Sequence, residues 1–209
     1  IYLPLNKFHG CIDFHAVAPQ KAKEDMWEVD GETWDGFGFF TKGKKNEIGY
    51  QSVSVPGTCK GLYDAATEYG TMSWAHLVQP AIEQAMKGAT ITAQHVSWWK
   101  FGMGKGTGRI EERDKLKFSK TGRKVYFEDS EKGILKKEGD ILINPDYVET
   151  LKILQKEGAD GFYSKNGTIA KKIVADFQKH DGLIDADDLA NYRTVRTKPL
   201  TTNYRGHHV

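Results

Sequence analysis

Only two cysteines, Cys11 and Cys59, occur in 209 residues, too few for a disulfide framework or a four-thiolate metal site. Long apolar runs are missing as well. The longest are three residues, as at 1–3 and 141–143, against the ~20 that a membrane helix needs. These residues therefore encode neither a transmembrane helix nor a signal-peptide core. Charge of one sign is absent too: 30 Lys and Arg face 28 Asp and Glu, for a net +2, which argues against wholesale binding to nucleic acid. The one local excess lies between 100 and 137, with twelve Lys or Arg against six Asp or Glu. Familiar catalytic words are also lacking. There is no Gly-x-Ser-x-Gly elbow, no His-x-x-x-His pair and no Cys-His spacing, so the residues declare no nucleophile or metal by themselves. What remains, 39% hydrophobic and 28% charged, is the composition of an ordinary globular chain.

The opening Ile1-Tyr2-Leu3-Pro4-Leu5 carries no methionine and no charged leader, and the closing Tyr204-Arg205-Gly206-His207-His208-Val209 reads as a strand just begun. The chain is therefore expected to be a single fragment, 1–209, of a longer or processed protein.

Residues 8–15 alternate loosely around Cys11, Ile12 and Phe14 and predict a strand that closes at Ala18-Pro19, where proline favours extended geometry in the residue before it. From Trp27 to Gly49 the chain is rich in Gly, Asp, Lys and aromatics without a period, which predicts a long surface loop. After the turn signal Val55-Pro56-Gly57, the spacing of Leu62, Ala65, Ala66 and Tyr69 before Gly70 predicts a short helix. The clearest helix follows: Ser73 as N-cap, then Trp74, Leu77, Val78, Ala81, Ile82, Ala85 and Met86, ending at Gly88, with Pro80 interrupting its other face. Periodicity fails from Trp98 to Leu135, so 92–135 is expected to be a basic, loop-rich insertion. A third helix has Asn144 as N-cap, Pro145 in its first turn and Gly158 at its end. A fourth carries Ile169, Ile173, Val174 and Phe177 and stops at Gly182. A fifth starts at Asp185, with Asp188 completing a carboxylate version of the capping box. Thr194 to Tyr204 reads as extended. The fold class is α+β, this fragment mostly helical, and short of strands for a complete α/β domain.

Four features invite a chemical reading and have a plainer one. The run Gly102-Met103-Gly104-Lys105-Gly106-Thr107-Gly108 is not a phosphate loop, because Trp99 stands where the first glycine belongs and Gly106 replaces the Ser or Thr; a flexible loop is expected. His207 and His208 are adjacent on an extended segment, so they point to opposite faces and cannot converge on one ion. No metal and no cofactor is expected. Asp185, Asp187 and Asp188 suit a helix start, and Trp98-Trp99 suits a hydrophobic plug.

A set of words in order then supplies what single residues do not. Val55-Pro56-Gly57-Thr58 with Gly61, Tyr69-Gly70-Thr71, Trp74, Val78, Pro80-Ala81-Ile82, Gly158-Ala159-Asp160-Gly161-Phe162-Tyr163, Gly182-Leu183-Ile184, Asp188-Leu189-Ala190-Asn191-Tyr192, Pro199-Leu200 and Tyr204-Arg205-Gly206 together resemble the large subunit of the γ-glutamyltransferase (γ-glutamyltranspeptidase) family. The resemblance covers most of 8–20, 52–90 and 140–209 and fails over about 92–135. It implies the αββα sandwich of the N-terminal-nucleophile hydrolases, in which a precursor cuts itself and the exposed N-terminal threonine of the small subunit attacks an amide. The threonine's own amine serves as base, and the acyl group passes to water or an acceptor amine. The implied partners are that small subunit and a small amide substrate, the implied compartment is periplasmic or secreted, and the nucleophile is expected outside these 209 residues. The implied reaction is γ-glutamyl (glutathione-type) hydrolysis or transpeptidation.

One departure bears on substrate. The family places an arginine that clamps the α-carboxylate of the γ-glutamyl group, followed by a glutamate, shortly before Ala-Pro. The aligned stretch here is Ile12-Asp13-Phe14-His15-Ala16-Val17-Ala18-Pro19, with His15 at the arginine position and Ala16 at the glutamate. Histidine lacks arginine's bidentate fork, and near neutral pH it is ordinarily uncharged unless a carboxylate raises its pKa. His15 is thus the candidate substrate-binding residue. The related cephalosporin and glutaryl acylases, which cut other amides with the same machinery, are the alternative reading. A non-catalytic scaffold or binding relative that has lost its pocket arginine is a further one.

Overall fold

The computed structural model describes residues 1–34, 38–101 and 108–208. In chain order its elements are β1 (Tyr2–Leu3), β2 (Phe8–His9), β3 (Cys11–Asp13), β4 (Val29–Trp34), β5 (Phe39–Thr41), α1 (Thr58–Tyr69), α2 (Trp74–Lys87), β6 (Ala89–Thr90), α3 (Ala93–Phe101), α4 (Glu112–Lys117), α5 (Lys120–Tyr126), β7 (Phe127–Asp129), β8 (Ile134–Leu135), β9 (Ile141–Leu142), α6 (Pro145–Glu157), α7 (Asp160–Tyr163), α8 (Thr168–Lys179), α9 (Ala186–Asn191), β10 (Val195–Thr197), β11 (Asn203–Tyr204) and β12 (His207–His208). The architecture is α+β, and among the described residues the strands pair in antiparallel twos: β1 with β2, β3 with β10, β4 with β5, β6 with β9, β7 with β8 and β11 with β12. Ladders this short are marginal alone, so the helices carry the core.

That core has two parts. Val78 and Ile82 of α2 meet Val148 and Leu151 of α6, with Trp74 and Ala85 against them. The indole of Trp74 donates to the Leu154 carbonyl at 2.7 Å, and the Gln155 amide donates to the Ala75 carbonyl at 2.9 Å, which holds the two helices side by side. The second cluster joins Val55, Ala159, Tyr163, Ala170, Ile184, Leu189 and Tyr192, so α7, α8 and α9 close over Val55 in the segment that precedes α1. Gly158 sits at φ 63 between α6 and α7, where a Cβ would stand 2.8 Å from the Tyr63 ring; glycine is required twice over.

The predicted helix caps are present. Ser73 accepts from the His76 amide, Asn144 accepts from the Tyr147 amide, and Asp185 and Asp188 form a reciprocal capping box. Pro80 lies within α2 on an exposed position. The fourth helix ends at Lys179, and Gly182 contributes by donating its amide back to the Phe177 carbonyl at 2.8 Å.

Elsewhere the structure corrects the reading. The predicted loop over 27–49 contains the antiparallel pair β4 and β5, with Phe40 and Thr41 buried; its register shifts between Val29 and Trp34, with Gly31 at φ 76, and this irregularity erases strict alternation. The expected loop-rich segment 92–135 holds α3, α4, α5 and the β7–β8 hairpin. Its helices are nine, six and seven residues long, too short to display a 3.6-residue period. The glycines at 102–107 lie outside the described residues. In α1 the buried positions are Gly61 and Asp64, while Leu62 is exposed, so that helix turns a different face inward than its apolar spacing predicts. On α2, Leu77 and Met86 are likewise exposed. The strand predicted over 8–15 divides into β2 and β3, separated by Gly10.

Candidate functional site

β3 pairs with β10, placing Val195 opposite Asp13, Arg196 opposite Ile12 and Thr197 opposite Cys11. Just beyond β3 the chain bends. The Asp13 carboxylate accepts the His15 amide at 2.9 Å, an Asx-type turn, and the His15 ring nitrogen Nδ1 lies 3.1 Å from the Ala16 carbonyl. Val17 then bridges Val55, with amide-to-carbonyl distances of 3.2 and 2.9 Å. This bridge sets the 13–17 segment against the Pro56-Gly57 turn and the start of α1.

The closeness of that contact explains the glycine spacing. A Cβ on Gly57 would lie 1.9 Å from the Tyr192 phenol oxygen and 2.1 Å from the Phe14 carbonyl; one on Gly61 would lie 2.1 Å from the Phe14 ring. Four residues apart, the two glycines share one face at the start of a helix, and Phe14 packs into the hollow they leave. Above them Tyr192 donates to the His15 carbonyl at 3.0 Å. Tyr163 stacks on Tyr192 with ring centres 5.5 Å apart, donates to the Pro56 carbonyl at 2.7 Å and accepts the Lys60 amide at 3.3 Å. Burial pushes the Tyr163 phenol well above its ordinary range, so it remains a protonated donor at every relevant pH.

Two carboxylates brace this arrangement. Asp64 of α1 is buried and accepts from the Lys60 ammonium at 2.7 Å, the Thr194 hydroxyl at 2.6 Å and Arg196 at 3.4 Å; Arg196 also pairs with Glu68. Burial would raise the Asp64 carboxyl, but the hydrogen bonds from Lys60, Thr194 and Arg196 prevail and hold it below the usual range. Asp188 accepts the Asp185 amide at 3.0 Å within the capping box and the Gln20 amide at 2.8 Å, which ties down the chain after Pro19.

Between the bend and the turn lies a cavity of about 500 Å³ lined by Ile12, Asp13, Phe14, His15, Ala16, Pro56, Gly57 and Thr58. The exposed His15, singled out from sequence, thus stands in a hollow with the Pro56-Gly57 turn. Sequence reasoning gave no role to Asp13, Asp64, Tyr163 or Tyr192. The one available signal was that Tyr163 and Tyr192 each close one of the family-like words. The other candidates do not gather here. His207 faces Tyr204 across the β11–β12 ladder, and no three His, Cys, Asp or Glu side chains among the described residues converge as metal ligands. Trp99 packs edge-on against Tyr126 at 5.6 Å, as a plug does, whereas Trp98 is exposed.

A family model described as Gamma-glutamyltranspeptidase matches residues 1–209. The chain belongs to that family. It is 32% identical to a glutathione hydrolase proenzyme of Escherichia coli (strain K12) over 95% of its own length and 30% of that protein's. It is 30% identical to an acylase ACY 1 proenzyme of Pseudomonas sp. (strain SE83) over 96% of its length and 33% of that protein's. The crystal structure of Helicobacter pylori γ-glutamyltranspeptidase superposes with a TM-score of 0.79 at 29% identity, over all of this chain and 54% of the other. The chain thus spans about a third of the length of these curated relatives, and its fold is part of the N-terminal-nucleophile hydrolase fold that the family shares.

Proposed function

We propose that the protein containing this chain is an amide hydrolase or acyltransferase of the autoprocessed threonine type, and that this chain supplies one wall of its acyl pocket, with His15 in contact with substrate. The observation that carries the reading is the hollow beside the Pro56-Gly57 turn, where the glycine-dependent close approach presents His15 and Asp13 to a space of about 500 Å³. Relatives named glutathione hydrolase proenzyme support a γ-glutamyl amide as substrate and a proenzyme that is cut into subunits. The nucleophile would be a threonine on the second subunit, using its own amine as base and passing the acyl group to water or an amine.

A second reading, an acylase acting on other amides, is favoured by the same cavity, because the wall that this chain supplies contains no Lys or Arg and a permanent cation is the usual partner for a carboxylate.

The test is made on the full-length protein. Intact mass and N-terminal sequencing should find a second polypeptide beginning with threonine, and γ-glutamyl or other acyl anilides should release the amine. A single uncut chain with no turnover of any acyl anilide would refute the proposal.

A further inference from the structure

Two titratable side chains, Asp13 and His15, line the cavity. A carbonyl oxygen can only accept a hydrogen bond, so the 3.1 Å contact between His15 Nδ1 and the Ala16 carbonyl requires the proton on Nδ1. In the neutral ring Nε2 is then an acceptor, and it is the nitrogen left for a ligand. Asp13 is the other charged or titratable side chain that this chain brings to the lining. Its Oδ1 already holds the His15 amide, and no ion pair engages the carboxylate among the described residues. The nearest cation along the paired strand, Arg196, is committed to Glu68 and Asp64. The start of α1 contributes a partial positive charge of about one half, which does not cancel the full negative charge of Asp13. Of the remaining lining side chains, Ile12, Phe14, Ala16 and Pro56 are apolar, and the Thr58 hydroxyl can either donate or accept.

We infer that this pocket recognises the amine of its acyl group rather than a carboxylate: Asp13 and His15 Nε2 receive an ammonium or amide N–H, and the apolar wall carries the chain of methylenes. This rests on the proposed acyl pocket and sharpens it. A γ-glutamyl group carries both an ammonium and a carboxylate at its α-carbon; the ammonium is the one that binds here. Glutaryl amides, which keep the carboxylate and lack the amine, are the disfavoured class.

Three anilides separate the contributions in the full-length protein: γ-glutamyl, 4-aminobutyryl (no carboxylate) and glutaryl (no amine). Removing the amine should lower kcat/KM by about tenfold or more, the loss of one charge-assisted hydrogen bond. Removing the carboxylate should change it by less than about threefold. Asp13→Asn, which keeps an acceptor for the His15 amide, should narrow the gap between the 4-aminobutyryl and glutaryl substrates. A larger loss on removing the carboxylate, or a gap indifferent to Asp13→Asn, overturns the inference. If none of the three is turned over, the proposed function fails, and the pocket is judged by binding alone, with 4-aminobutyramide and glutaramate titrated while the His15 ring is followed by NMR. Binding of 4-aminobutyramide alone sustains the assignment. Equal or preferred binding of glutaramate, or no binding of either, overturns it.

Discussion

The phenol of Tyr192 donates to the backbone carbonyl of His15 at 3.0 Å, across 177 positions of sequence. Tyr192 is the residue that ends α9, and Gly57 passes so close beneath its hydroxyl that no side chain fits between them. The end of a capped helix, a glycine turn and the candidate binding residue therefore form one packed unit.

Replacing Tyr192 by Phe keeps the stacking on Tyr163 and removes only this hydrogen bond. Stability should fall by about 1 kcal/mol, measured by denaturant unfolding, and KM should rise more than kcat falls, because the 13–17 bend is loosened rather than the chemistry changed.

Gly57→Ala places a methyl into the Phe14 carbonyl and the Tyr192 hydroxyl. Since one obstacle is backbone, the bend must shift bodily, with a cost of about 1–3 kcal/mol. Thermal unfolding should show the loss, and the His15 NMR signals should move further than in Tyr192→Phe.

Asp64 has its folded pKa held below the ordinary carboxylate value of about 3.9. A depressed folded pKa gives stability that is fully present above the unfolded pKa and lost as pH falls through the folded one. Asp64→Asn should therefore be less stable than the parent at neutral pH, and the difference should shrink as pH drops below about 4. Unfolding curves of both proteins from pH 7 to pH 3 read this directly.

Burial pushes the Cys59 thiol up to about 11, against the opposing Lys60 charge. Thiolate is the reactive form, so at pH 8 Cys59 stays almost wholly a thiol. Iodoacetamide should label the exposed Cys11 well before Cys59, and peptide mass mapping should find Cys59 modified only on unfolding.

Installing a guanidinium in the pocket through His15→Arg should reverse the proposed selectivity. Relative to 4-aminobutyryl anilide, turnover of the γ-glutamyl and glutaryl anilides should rise by about tenfold, in keeping with one bidentate carboxylate contact. An unchanged ratio would show that this position does not touch the acyl group.

Much of the scaffold was legible because its causes are local. Ser73 with His76, Asn144 with Tyr147 and Asp185 with Asp188 act across three residues, a distance over which chain geometry alone decides who meets whom. The positions of α2 and α6 followed from helical spacing for the same reason, though that the two pack together did not. The 92–135 segment resisted because two-turn helices carry no readable period, and the pair β4 and β5 because a register shift breaks its alternation.

The order of the family-like words in the linear chain placed it in its family and singled out His15 as a candidate substrate-binding residue. The pocket around His15 could not be read that way. Gly57 and Gly61 matter because Phe14 and Tyr192 arrive against them. Asp64 is held by Thr194 and Arg196 from 130 and 132 positions away, and Asp188 reaches back 168 positions to Gln20. Contacts at such separations are set by how the helices and short ladders pack, so the residues that shape the site look like ordinary glycines, tyrosines and aspartates until the fold brings them together.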